Sequence, residues 1–178
     1  MDISELINLK SNRFEHLLYE FKMYLDTYSL VVRNANFATY PDTLRNALIE
    51  SHAIHLRNLI EFFNCDEKCI TTKMVFDGSH DLRIDESLCD KQCINKAVEH
   101  LTEERFTWNS EEDKDLTIRF ASVVHMIYPE IANRIKTCVS LLLSKTDINE
   151  SWKSDLNDSN IQTRLKSLET RINSEPIS

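Results

Sequence analysis

An all-α fold, a bundle of four to five up-and-down helices, is what this sequence predicts, and three observations predict it. The chain of 178 residues contains one glycine (Gly78) and three prolines (Pro41, Pro129, Pro176), too few turn formers for a protein of many short strands. Hydrophobic residues make up 42% and charged residues 28%, and the apolar ones recur three and four positions apart, as on a helix with one buried face. No Gly/Pro/Ser-rich linker breaks the interior, so one domain with a C-terminal appendage is expected. A chain of this length buries roughly 70% of the surface it exposes when unfolded, and needs no disulfide staples.

The first helical region runs from about Ile3 to Arg33, with Phe14, Leu17, Leu18, Phe21 and Leu25 at helical spacing. The segment "RNANFATY" interrupts the pattern. Pro41 suits a helix start, where its missing N–H costs nothing, and the second helix should continue to Phe63 or Asn64. From Cys65 to Ser87 polar and apolar residues mix without a period around Gly78, which predicts a long ordered loop between the second and third core helices. Ser87 with Asp90 three positions on marks a third helix from Leu88 to about Arg105. Ser110 followed by Glu111, Glu112 and Asp113 opens a fourth, since acids in the first turn complement the helix dipole. Pro129 should break or kink that helix, which then resumes to about Lys145. Residues 146–178 are polar and end in the weakly amphipathic "IQTRLKSLETRI". The expected division is a bundle domain over 1–145 and an appendage with a marginal helix over 146–178.

A formal charge of −8 excludes a surface that binds nucleic acid broadly and leaves RNA only a local basic cleft. No apolar run is long enough to cross a bilayer, and the amino terminus "MDISELINLK" is acidic and amphipathic, so no membrane association and a cytoplasmic location are expected. Four of the five cysteines form Cys-x3-Cys pairs, Cys65/Cys69 and Cys89/Cys93. Paired disulfides and a four-cysteine zinc site are both conceivable. Zinc spacing is usually tighter and accompanied by turn glycines, so unlinked thiols and no bound metal are the preferred expectation.

The stretch "LRNALIESHAIHLRNLIEFF" from Leu44 to Phe63 sets two histidines and two arginines among apolar residues. On a helical wheel Leu44, Leu48, Ser51, His55, Leu59 and Phe62 fall within about 40° of one line, with His55 at the centre. His55 should therefore be buried, neutral near pH 7 and bonded to a polar group on a facing helix. Arg45 and His52 share one flank. Glu50 and Arg57 align opposite the stripe, as a solvated pair of charges. Glu50 lies about 140° from His55, which disfavours a shared metal.

A second segment, "CINKAVEHLTEERFTW" from Cys93 to Trp108, extends the pattern. Together the two resemble a family of small bacterial all-helical proteins of uncharacterised function, with signatures E-S-x-x-x-H-x-R-N-L and N-K-x-x-x-H-L-T-x-x-R. The first is matched by Glu50, Ser51, His55, Arg57, Asn58 and Leu59, the second by Asn95, Lys96, His100, Leu101, Thr102 and Arg105. The helical plan in turn resembles the HEPN superfamily, helical bundles that are often ribonucleases with an Arg-x4-6-His motif. Arg45-Asn46 with His52 fits that motif, as does Arg119 with His125. The resemblance implies a metal-independent nuclease, assembled across a dimer. A histidine would take the proton of an RNA 2′-hydroxyl, and an arginine would steady the charge growing on the phosphate.

Two functional classes follow. The preferred one is a binding or interaction module without cofactor, in which Glu50, His55, Arg57, Asn58, Asn95, Lys96, His100 and Arg105 form a polar cluster and the partner is a protein or a second copy of the chain. The alternative is a HEPN-like ribonuclease of a toxin or defence system with Arg45, Asn46 and His52 as catalytic residues. Whether the protein is an enzyme is open between the two. Packing of the second and third helices should bring His55 and His100 together.

Overall fold

The computed structural model describes residues 3–64, 72–77, 82–89, 94–95 and 111–174. Six α-helices lie among them: α1 (Ile3–Tyr28), α2 (Asp42–Asn64), the single turn α3 (Thr72–Val75), α4 (Glu111–Ser144), the single turn α5 (Glu150–Lys153) and α6 (Ser159–Ser174). The described residues carry no strand, only an isolated bridge between Phe76 and Ile148. They form an all-α helical bundle.

The apolar spacing read in the first region is the buried face of α1: Phe14, Leu17, Leu18, Phe21 and Leu25 are all core residues, joined by Tyr24 and Tyr28. After Tyr28 the chain widens into a π-helical turn, Ser29–Arg33. The side chain of Asn34 then accepts from Asn36 N at 2.9 Å and donates to the Tyr40 hydroxyl at 2.7 Å, stopping the helix and turning the chain. The Pro41 carbonyl accepts from the N–H groups of Leu44 and Arg45 (2.9 and 3.0 Å), so α2 begins where the proline predicts.

Helices α1 and α2 pack antiparallel. Their partners run in opposite order along the two helices: Phe21 meets Phe62 at a ring distance of 6.1 Å, while Tyr24, farther along α1, meets His52, farther back on α2, at 5.0 Å. Helix α4 closes the core with Phe120, Val123, Ile127, Ile131, Ile135 and Leu142. Pro129 lies inside α4 without ending it. A proline there forfeits one backbone hydrogen bond, and the buried neighbours Ile127, Tyr128 and Ile131 hold the helix together across it.

The described parts of the segment after α2 are docked on the core. Val75, Phe76, Leu82 and Ile84 are buried. Asn64 binds the Ile84 backbone twice, donating to its carbonyl at 3.0 Å and accepting from its N–H at 2.8 Å. From the other side Arg134 donates to the Arg83 carbonyl at 3.2 Å. The third helix does not begin at Leu88: that residue closes a 3₁₀ turn, Glu86–Leu88, in which the Asp85 carboxylate accepts from Ser87 N at 2.9 Å. Ile94 and Asn95 are helical, and the rest of the expected helix lies outside the described residues.

The largest departure from expectation is the C-terminal segment. Instead of an appendage, Ile148, Trp152, Leu156, Ile161, Leu165, Leu168 and Ile172 belong to the same core. Helix α4 ends on Lys145 in a left-handed conformation (φ 54°), and Thr146 N reaches back to the Leu141 carbonyl at 3.2 Å, the pattern of a Schellman cap. The chain then returns along α1, with Trp152 edge-on to Phe14 at 4.9 Å and Arg171 paired with Asp26. Partial burial would raise the Asp26 carboxyl, but hydrogen bonds from Lys22 and Arg171 outweigh it and hold the group below its ordinary range. Apolar residues isolated among polar ones at 146–160 hide this packing from a periodicity reading. Leu165→Ala should therefore cost about 2 to 4 kcal/mol in urea unfolding, the range for a buried leucine and not for a solvated tail.

Candidate functional site

Helix α2 carries most of the residues singled out in the sequence, and the fold sends them in three directions. At its exposed start, Arg45 pairs with Asp42 and reaches the Ala38 carbonyl with Nη1 at 3.5 Å. Asn46 beside it is half-buried.

One face of α2 points into the core, and His52, not His55, sits at its middle. The buried residues from Phe62 round to Ala53 span an arc whose midpoint falls within about 10° of His52 on a wheel. That arc lies roughly 70° from the line through Leu44, Leu48 and Ser51 that the sequence suggests; Leu44 is 45% exposed. The leucines near the helix start do not mark the buried face, since Leu48 too is only half-buried.

The imidazole of His52 has no exposed surface. It stacks on Tyr24 at 5.0 Å and 22°, and Phe120 meets it edge-on at 6.4 Å. Its Nδ1 lies 2.9 Å from Thr27 Oγ1. Thr27 has one hydroxyl proton and directs it to its own helix, at 2.7 Å from the Met23 carbonyl. Nδ1–H of His52 must therefore be the donor to Oγ1, which leaves Nε2 as the unprotonated acceptor. Burial, reinforced by the nearby His55, lowers the His52 pKa to about 3, so the ring is neutral. Next to this ring Tyr28 and Tyr128 stack at 3.5 Å and 8°, with the Arg33 guanidinium 5.4 and 5.3 Å from the two rings.

The other face opens on a groove against α1. His55 is buried, as expected, and its Nδ1 lies 2.7 Å from Glu20 Oε2 on the facing helix. Tyr19 stands edge-on to the same ring at 5.7 Å. Beside this pair is a cleft of about 260 Å³ lined by His16, Leu17, Glu20, Asn58, Leu59, Glu61 and Phe62. His16 and Glu20 are four apart on α1, as are Asn58 and Phe62 on α2, so each helix contributes one face to the cleft.

Glu50 and Arg57 do not form the solvated pair expected of them. Glu50 is buried, and Arg57 lies 3.9 Å from Glu61, an ion pair beyond hydrogen-bonding distance. Asn95 is exposed; Lys96, His100 and Arg105, and with them the expected meeting of His55 and His100, lie outside the described residues. His125 of the second Arg/His motif is exposed on α4. Cys89 and Cys138 are buried, the Cys89 Sγ 3.7 Å from the Asp85 carbonyl, and burial pushes the Cys138 thiol well up; Cys65, Cys69 and Cys93 lie outside the described residues. Among the described residues no group of three His, Cys, Asp or Glu side chains is placed to hold a metal ion, and no helix is long and apolar enough to cross a membrane.

The residues that complete the cleft were missed in the sequence. Glu20 and His16 flank the apolar stripe of α1 four residues apart, a visible signal, but only the packing of α1 on α2 sets them opposite His55 and Asn58. Comparison of the chain with models of known families, with curated proteins and with solved structures finds no match.

Two measurements test this geometry. The unfolded chain protonates a histidine near 6.5 while folded His52 stays neutral to about 3, so acidification through that window favours unfolding. The stability difference between wild type and His52→Leu should shift with pH by up to about 1.4 kcal/mol per unit between those values and be flat above pH 7.5. His55→Ala should cost about 1 to 3 kcal/mol in thermal unfolding, through a cavity and a Glu20 carboxylate that has lost its donor.

Proposed function

We propose that this chain is a non-catalytic binding module that recognises its partner through the groove between α1 and α2. One observation carries this reading: the cleft beside Glu20 and His55 combines an apolar floor (Leu17, Leu59, Phe62) with polar groups whose bonding capacity is largely unused. His16 and Asn58 make no side-chain hydrogen bond among the described residues, and Glu20 holds His55 with one oxygen only. Polar groups converging on an apolar concavity are the ordinary composition of a recognition site.

The ribonuclease alternative draws less support. A general base must come within hydrogen-bonding reach of the proton it removes, whereas His52 is enclosed by aromatic rings and Arg45 is turned toward Asp42 and Ala38. Of the residues quoted for the family resemblance, Asn58 and Leu59 line the groove, His55 holds its Glu20 and Arg57 stands 3.9 Å from its Glu61.

The test fills the groove. Asn58→Trp should leave the far-ultraviolet spectrum unchanged and release a partner that co-purifies with wild type from its own cells. Lys166→Trp, on the exposed side of α6, should retain it. The opposite pattern would remove the groove from the argument. RNA cleavage by wild type that Arg45→Ala or His52→Ala abolishes would establish the nuclease instead.

A further inference from the structure

Resting on that reading, we infer that the groove takes a cation, a lysine or arginine side chain of a protein partner.

The volume sets the first limit. At about 260 Å³ the cleft falls just below the range of about 300–1,000 Å³ typical of small-molecule pockets, and suits one long side chain better than a cofactor. Its floor is the second. Leu17, Leu59 and Phe62 offer a hydrophobic bed to the methylene stem of such a side chain, whose charged head stays at the rim.

The rim decides the sign of that head. Two carboxylates, Glu20 and Glu61, line the cleft, one from each helix. Glu20 is bound by His55 through Oε2 alone, and Oε1 accepts no hydrogen bond among the described residues. Glu61 is 55% exposed, and its neighbour Arg57 stands 3.9 Å away. An exposed pair of this kind on one helix contributes only about 0.3–0.5 kcal/mol and yields readily to a better-placed donor. Asn58 adds an amide oxygen that can accept from the same cation. An incoming anion would meet these carboxylate acceptors at the rim, whereas a cation finds three oxygen-bearing side chains there. The net charge of −8 also draws a basic partner from a distance.

The full-length protein should be titrated with n-butylammonium and n-propylguanidinium, with n-butanol and butyrate as neutral and anionic counterparts, following backbone amides by nuclear magnetic resonance. Saturable shifts confined to Leu17, Glu20, Asn58 and Phe62 are expected for the two cations, with apparent affinity roughly tenfold or more above that for butanol. The preference should weaken at high salt and fall severalfold in Glu61→Gln, a surface change that leaves the Glu20–His55 contact intact. Equal binding of butanol, or tighter binding of butyrate, would overturn the cation while leaving the groove as a binding site. Silence from every probe while Asn58→Trp still releases the native partner would do the same. Silence combined with an Asn58→Trp protein that keeps its partner would overturn both the cation and the groove.

Discussion

Everything else in the bundle is arranged around a neutral imidazole held between two helices. His52 donates from Nδ1 to Thr27 and lies flat on Tyr24, so one side chain of α2 is fixed by a hydrogen bond and a stacked ring on α1. The bond is directional and the stack is not, and together they set both the rotation and the axial position of α2 against α1. A typical internal hydrogen bond contributes about 0.5–1.5 kcal/mol and an aromatic pair a similar amount beyond its buried area. The burial of Leu56, Leu59, Phe62 and Phe63 supplies more stability, but apolar contacts alone would tolerate neighbouring arrangements.

The same seam extends to α4. Tyr128 stacks on Tyr28, and the Arg33 guanidinium sits near both rings at the edge of the core, where the π-helical turn after α1 delivers it. A cation placed there gains from the ring faces while keeping part of its hydration. The residue before Pro129 is thereby held between Tyr24 and Tyr28, contacts that help α4 run on through a proline that forfeits one helical hydrogen bond.

Because His52 claims the middle of the buried face, His55, three residues on, falls to its edge. That displacement separates a sealed histidine, whose role is packing, from a marginal one whose acidic partner also walls a groove. The rotation of α2 thus links the core to the proposed recognition groove: Glu20, His16, Asn58 and Glu61 converge in the same register of α1 on α2 that brings Thr27 to His52. Polar pins elsewhere follow the same economy. Asn64 on Ile84, Arg134 on Arg83 and Arg171 on Asp26 each tie a segment remote in sequence to the helices that build the core.

Helical class, the span of α2 from the residue after Pro41 to Asn64, the start of α4 at its acidic turn and the burial of His55 were all legible in the sequence by itself, because they depend on interactions within a few residues: proline geometry, dipole complementarity and a 3.6-residue period. The rotation of α2 about its axis was not. A stripe of leucines gives a face only to within the width of a broad apolar arc, and the choice of His52 over His55 as its centre was made by Tyr24, Thr27 and Phe120, which lie on other helices. The terminal helix was legible in "IQTRLKSLETRI", but the docking of the segment before it was not, since Trp152 and Leu156 are isolated among polar neighbours and become core residues only in the assembled bundle. The groove belongs wholly to the tertiary structure: its acids sit forty-one residues apart, on Glu20 and Glu61, and no local pattern links them, because only the packing of two antiparallel helices brings such side chains to one rim.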